Sequence, residues 1–161
     1  MAYQDDILIA LRRITRAIDL HSRQLMKASG LTAPQLVVLN ALNKNGDMTP
    51  SCIAREVSLS QATVTAILDR LQKQELVTRE RSQDDRRQVL VHLTAKARTS
   101  LEQAPELLQS GFLREFGQLA EWEQLMMISA LQRIAELMDA EDIDAGPILD
   151  TGQIDRPGSE P

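Results

Sequence analysis

Residues 60–94, SQATVTAILDRLQKQELVTRERSQDDRRQVLVHLT, constrain the fold more tightly than any other stretch of this chain. Ser60 is placed to cap a helix running to about Gln74. At about 100° per residue, Val64, Ile67, Leu68 and Leu71 gather on one side. Ala62, Ala66, Asp69 and Lys73 point the opposite way, with Thr63, Thr65 and Arg70 on the flanks. Two β-rich runs follow, LVTRERS and QVLVHLT, separated by QDDRR, which predicts a hairpin with its charge at the tip. Upstream, Thr49-Pro50 reads as an N-cap with proline at the first helical position, and Ile53, Ala54 and Val57 face inward. Ser58-Leu59-Ser60 then makes a tight turn. Two helices joined by so short a turn, the second with a small polar outer face, form the helix-turn-helix pattern.

The flanks are helical too. Residues 5–29 carry Ile7, Leu11, Ile14, Ile18, His21 and Leu25 at steps of four and three, one apolar stripe that Gly30 closes. Thr32 and Gln35 are spaced as a capping box for a second helix with LVVLNAL as its buried body, ended by Asn45-Gly46. Thr94 is placed to cap a long helix that Pro105 must kink or restart. A last helix, about 121–139, has Leu125, Ile128, Leu131, Ile134 and Met138 as its stripe. These end helices carry more apolar surface than a winged helix of roughly 90 residues could bury, which points to a second copy. The expected fold class is therefore mainly α with a small β-hairpin wing, a winged helix-turn-helix plus a helical dimerisation region. The expected division is a dimerisation helix at 1–29, the winged helix-turn-helix at 30–97, C-terminal dimerisation helices at 98–140 and an acidic irregular tail at 141–161. That tail is expected to drape on the body around Ile148-Leu149.

A net charge of −5 seems to argue against nucleic acid, but its distribution reverses the impression. From Glu136 onward eight acids stand against Arg156 alone, leaving 17 bases and 15 acids in the remainder. A DNA-binding face needs only a local basic patch. One cysteine, Cys52, excludes an intramolecular disulfide framework and suits a reducing compartment. No run of about 18 apolar residues appears, and MAYQDDILIALRR opens acidic, unlike a secretory leader. A cytoplasmic protein without membrane partners is expected. There is no Walker loop, no Gly-rich dinucleotide turn and no metal-spaced Cys/His cluster, so neither an enzyme, a cofactor nor a metal is expected.

The major groove admits one α-helix and presents donors, acceptors and thymine methyls. Small residues at Ala62 and Ala66 let a helix come close, and Gln61, Thr63 and Thr65 offer short polar groups. Ser60 lies at the helix N-terminus, where free N–H groups suit a phosphate. Arg70 and Lys73 are better placed for backbone than for bases. At the tip, Arg81, Arg86 and Arg87 supply charge, and an arginine in a narrow minor groove gains from its negative potential. Asp85, two residues before Arg87, is expected to hold that guanidinium by a charge-assisted hydrogen bond. The rival reading is a winged-helix protein–protein module without DNA contact, which has no need for these arginines beside a small helix face.

The order of these motifs, LTAPQLVVLNAL, TPSCIAREVSLSQATVTAILDRL, LVTRERSQDDRRQVLVHLT and a closing helical pair, resembles the MarR family of bacterial winged-helix regulators. The resemblance covers roughly residues 7–140, and the wing pattern with Asp85, Arg87 and Val-x-Leu-Thr is its most specific part. It implies a homodimer on a palindromic operator in double-stranded DNA, usually a repressor released by a small-molecule ligand. LSQATVT, RSQDDRR, Trp122-Glu123 and SALQRIAELMDAEDID further resemble the subgroup tied to compatible-solute (ectoine) genes. Two positions depart from the family pattern, Glu75 and Ala97, where glycines are usual. Glu75 argues against a left-handed C-cap and for a different helix end.

His21 lies on the first helix's apolar stripe and reads first as a core or interface histidine. The resemblance puts this helix beside the family's ligand cavity, so His21 and Arg23 are the candidate ligand contacts. Cys52, in a first helical turn, reads as an incidental, partly exposed residue rather than a redox sensor. Trp122, Phe112 and Phe116 read as packing, and Met126 and Met127 as core filler.

Overall fold

Four helices begin where a hydroxyl side chain closes their first turn. In the computed structural model, residues 2–143 and 145–151 are described. The helices and strands run α1 Ala2–Ser29, α2 Ala33–Asn45, α3 Pro50–Val57, α4 Gln61–Lys73, β1 Val77–Arg81, β2 Val89–Leu93, α5 Ala95–Gln103, α6 Leu108–Phe116 and α7 Glu121–Leu137. Thr32 Oγ1 accepts from the Gln35 N–H at 3.4 Å, and Gln35 Oε1 accepts in return from the Thr32 N–H at 3.0 Å. Thr49, Ser60 and Thr94 cap α3, α4 and α5 in the same way, each accepting from the N–H three residues on. Each cap satisfies a donor that helix geometry leaves without a partner.

Pro105 divides the long helix expected after Thr94. Ala104, directly before it, is extended at φ −73° and ψ 133°, as proline demands of its predecessor. The described chain falls into two compact units. One holds α1 to α5, the hairpin and the segment from Pro147; the other is Glu106–Gly146, with α6 and α7.

In the first unit α2, α3 and α4 pack on one another, and the hairpin packs on all three. Leu36, Leu39, Ile53, Val64, Ile67, Leu68, Leu71, Val77 and Val91 are buried there. Each such side chain contributes about 1.5–3 kcal/mol on leaving water. The α4 stripe expected to face inward is thus fully enclosed, which turns the opposite face outward. Of the expected tail, residues 145–147 and 149–151 lie at the surface or half-buried, and Ile148 is 6% exposed within the first unit. Residues 152–161 lie outside the described residues.

In the second unit the Phe112 and Phe116 rings meet at 5.7 Å between centroids. Trp122 is 65% exposed and Met126 58% in the single chain, so neither is core within this unit. The helices around them form too small a unit to enclose large side chains. No described helix is long and apolar enough to cross a membrane.

The end of α4 also differs from expectation. Glu75 adopts φ +60°, the left-handed conformation its side chain was expected to disfavour. The Glu75 N–H donates to the Gln72 carbonyl at 3.0 Å and the Leu76 N–H to the Leu71 carbonyl at 2.9 Å. That pair of bonds is a Schellman closure, and burying Leu76 beside the helix end outweighs the backbone cost at Glu75. Lys96 Nζ donates to the Gln74 carbonyl at 2.9 Å and sits 3.7 Å from the Glu75 carboxylate, which further holds the turn. Ala97, the other departure, is fully buried.

Candidate nucleic-acid interface

The residues that could touch a duplex come from the outer face of α4 and from the hairpin beside it. Gln61, Ala62, Thr65, Arg70 and Lys73 are exposed, while Thr63 and Ala66 are half-buried. Ser60 Oγ lies 2.7 Å from Thr63 Oγ1 and accepts the Thr63 N–H at 3.1 Å, so both hydroxyls are engaged in the cap. Thr65 Oγ1 donates to the Gln61 carbonyl at 2.9 Å, which commits its proton to the helix backbone.

β1 and β2 pair antiparallel in the register Val77↔Leu93, Arg79↔Val91 and Arg81↔Val89. Met48 extends the sheet by one bridge, its N–H and carbonyl exchanging bonds with Val91 at 3.4 and 2.8 Å. On the opposite face of the hairpin, His92 Nδ1 lies 2.8 Å from Asp47 Oδ2 and His92 Nε2 lies 3.8 Å from Glu80 Oε2. The Asp47 contact ties the base of the wing to the loop that leads into α3.

At the tip, Ser82 Oγ accepts from the Asp84 and Asp85 N–H groups at 3.3 and 3.4 Å. The Ser82 N–H donates to the Gln88 carbonyl at 2.9 Å. Asp85 Oδ1 accepts the Arg87 backbone N–H at 3.0 Å. This corrects the expectation for Asp85, which fastens the main chain of Arg87 rather than its guanidinium. A short acid reaches its own backbone two residues on more easily than a mobile side-chain terminus. Arg81, Arg86 and Arg87 are all exposed.

Sequence reasoning missed one residue of the site. Arg79, on β1, reaches α4: its Nη1 lies 2.7 Å from Asp69 Oδ1, and its Nη2 donates to the Thr65 carbonyl at 3.5 Å. The pair neutralises the one acid on the outer face of α4 and ties the wing to that helix. The signal was an acid among Ala62, Ala66 and Lys73, which calls for a cation from a neighbouring element.

The candidate ligand residues separate. Arg23 is exposed, pairs with Asp19 at 3.1 Å and lines a cavity of about 440 Å³ between α1 and the start of α2. His21 is half-buried and does not line it. Cys52 is half-buried, and hydrogen bonds from Thr49 and Arg55 hold its thiol below the usual range. Arg55 Nη2 donates to Cys52 Sγ at 3.3 Å.

Residues 31–89, from the start of α2 to the start of β2, match the family model for the MarR family. Residues 31–89 thus resemble a MarR-type module. YsmB of Bacillus subtilis, described as an uncharacterized HTH-type transcriptional regulator, is 39% identical over 88 residues, 55% of this chain and 60% of YsmB. The chain thus spans less than two thirds of this curated relative. Among solved structures, the YusO protein from Bacillus subtilis aligns at 28% identity with a TM-score of 0.53, over 86% of this chain and 96% of YusO. A MepR-like protein complexed with pseudoligands aligns at 26% identity with a TM-score of 0.57, over 86% and 97%. The chain therefore shares the winged-helix fold of these structures, with α4 as the second helix of the helix-turn-helix and the hairpin as the wing.

Proposed function

We propose that this chain is a sequence-specific, DNA-binding transcriptional regulator that acts in the cytoplasm as a homodimer on a palindromic operator. The observation that carries this reading is a single surface. The α4 face is small and uncharged where it would approach base edges, its one acid is neutralised by Arg79, and three exposed arginines stand on the hairpin beside it. Gln61, Ala62, Thr65 and Ala66 would meet bases, Ser60 and Thr63 the phosphate at the helix N-terminus, and Arg70 and Lys73 the flanking backbone. Arg81, Arg86 and Arg87 would enter the adjacent minor groove or its rim, with Asp85 shaping the turn.

A dimer is supported by apolar surface that the single chain leaves uncovered. On α1, Tyr3 is 88% exposed, and Ile7, Leu8 and Ile14 are exposed as well; in the second unit Trp122, Leu125 and Leu131 are exposed. Two copies would place two recognition helices on half-sites about one helical turn apart. We further infer repression relieved by a small molecule, with Arg23 and His21 as first probes of that response, and compatible-solute genes as the target class. Relatives named as transcriptional regulators support a binding protein over an enzyme.

Footprinting of the protein on fragmented genomic DNA tests the reading. A protected inverted repeat is expected, and Gln61→Ala or Thr65→Ala should change base preference, each contact being worth roughly 1–3 kcal/mol. Protection without any sequence preference, or none at all, contradicts it.

A further inference from the structure

The segment from Pro147 leaves the Glu106–Gly146 unit and becomes part of the first one. Ile148 is 6% exposed, a large aliphatic side chain taken out of water by a segment with no helix or strand of its own. Two residues on, Asp150 Oδ1 lies 2.7 Å from Ser22 Oγ on α1. Ser22 Oγ is also 3.0 Å from the Ile18 carbonyl, so one proton faces two acceptors. An ionised carboxylate brings only lone pairs, and so short a contact requires the proton to point at Asp150. Asp150 and Thr151 also line the groove of about 440 Å³, together with Asp19, Ser22, Arg23 and Lys27. Without Asp150 that lining carries two cations and one acid; with it the charges balance.

We propose that Pro147–Asp150 is a reversible latch on the groove between α1 and α2. Ile148 seats it and the Asp150–Ser22 bond fastens it. Closed, it pins the corner at which the MarR-type module hangs from the long helix. That corner turns on Gly30, whose φ of +69° costs a glycine nothing. Released, the latch frees the corner and takes away the wall of the groove that Asp150 and Thr151 supply. The inference rests on contacts within one unit and holds whether or not the protein binds DNA.

Ser22→Ala in the full chain tests the latch without altering the segment itself. Thermolysin cuts on the amino side of aliphatic residues and reports on Ile148 and Leu149. Losing a hydrogen bond to a charged group should speed that cleavage at least about fivefold, with Ser22→Thr close to wild type. Amide exchange across residues 22–33 should rise in Ser22→Ala, and in a chain ending at Gly146, while residues 61–73 stay unchanged. Equal cleavage of wild type and Ser22→Ala, or unchanged exchange at 22–33 after truncation, overturns the latch.

Discussion

Asp85 has one carboxylate oxygen spent on the Arg87 main chain, at 3.0 Å, and that geometry sets what each substitution should do. An asparagine keeps an oxygen that can accept the same N–H, whereas alanine leaves the turn unfastened. Asp85→Asn should therefore bind duplex DNA as tightly as wild type or more so, having also lost a charge that repels phosphate. Asp85→Ala should weaken binding several-fold through a looser wing. Equal weakening in both, measured by fluorescence anisotropy on one labelled duplex, would return the role to the carboxylate charge. Glu75 is the other residue whose backbone decides the outcome. Because a left-handed residue with a Cβ costs about 1–2 kcal/mol, Glu75→Gly should gain stability, offset in part by glycine's extra unfolded-state freedom. A net gain of roughly 0.5–1 kcal/mol is expected in urea unfolding, and a loss would mean that the Lys96 contact dominates.

Within the elements, what could be read from sequence was local. Thr32 with Gln35, Thr49 with Pro50, Ser60 and Thr94 announce helix starts through contacts spanning three residues, and each cap is present. The buried stripe of α4 follows from its period alone. The bridge from Met48 to Val91 joins residues far apart in sequence, and no local signal carries it. The same holds for Arg79 and Asp69, and for the exposure of Trp122, which depends on what else is present to cover it. The Arg79–Asp69 pair links the two parts of the proposed DNA surface. With both side chains partly exposed, a coupling of about 1 kcal/mol is expected from a double-mutant cycle with Arg79→Leu and Asp69→Asn. Arg79→Leu alone should also weaken DNA binding, by leaving an unpaired acid facing phosphate. Adding Asp69→Asn should restore most of it. Absence of rescue would assign Arg79 to folding alone.

For the whole molecule, a net charge of −5 and a DNA-binding role are compatible because the charge is unevenly placed. Eight of the acids lie from Glu136 onward, away in sequence from the α4 and hairpin residues proposed to meet DNA. Exposed apolar residues on α1 and α7 predict self-association: sedimentation at micromolar protein should give a dimer, and Leu125→Glu with Leu131→Glu should give monomers that bind DNA far more weakly. Dimers unaffected by those charges would move the interface elsewhere. The salt dependence of binding to a labelled duplex, compared between wild type and Arg87→Ala, tests the central claim most directly. Each phosphate neutralised contributes about −0.9 to the slope of log K against log salt, so a dimer lacking two such arginines should have a slope shallower by roughly 2. A wild-type protein that is not retained on duplex DNA at low salt, or a variant with an unchanged slope and affinity, contradicts it.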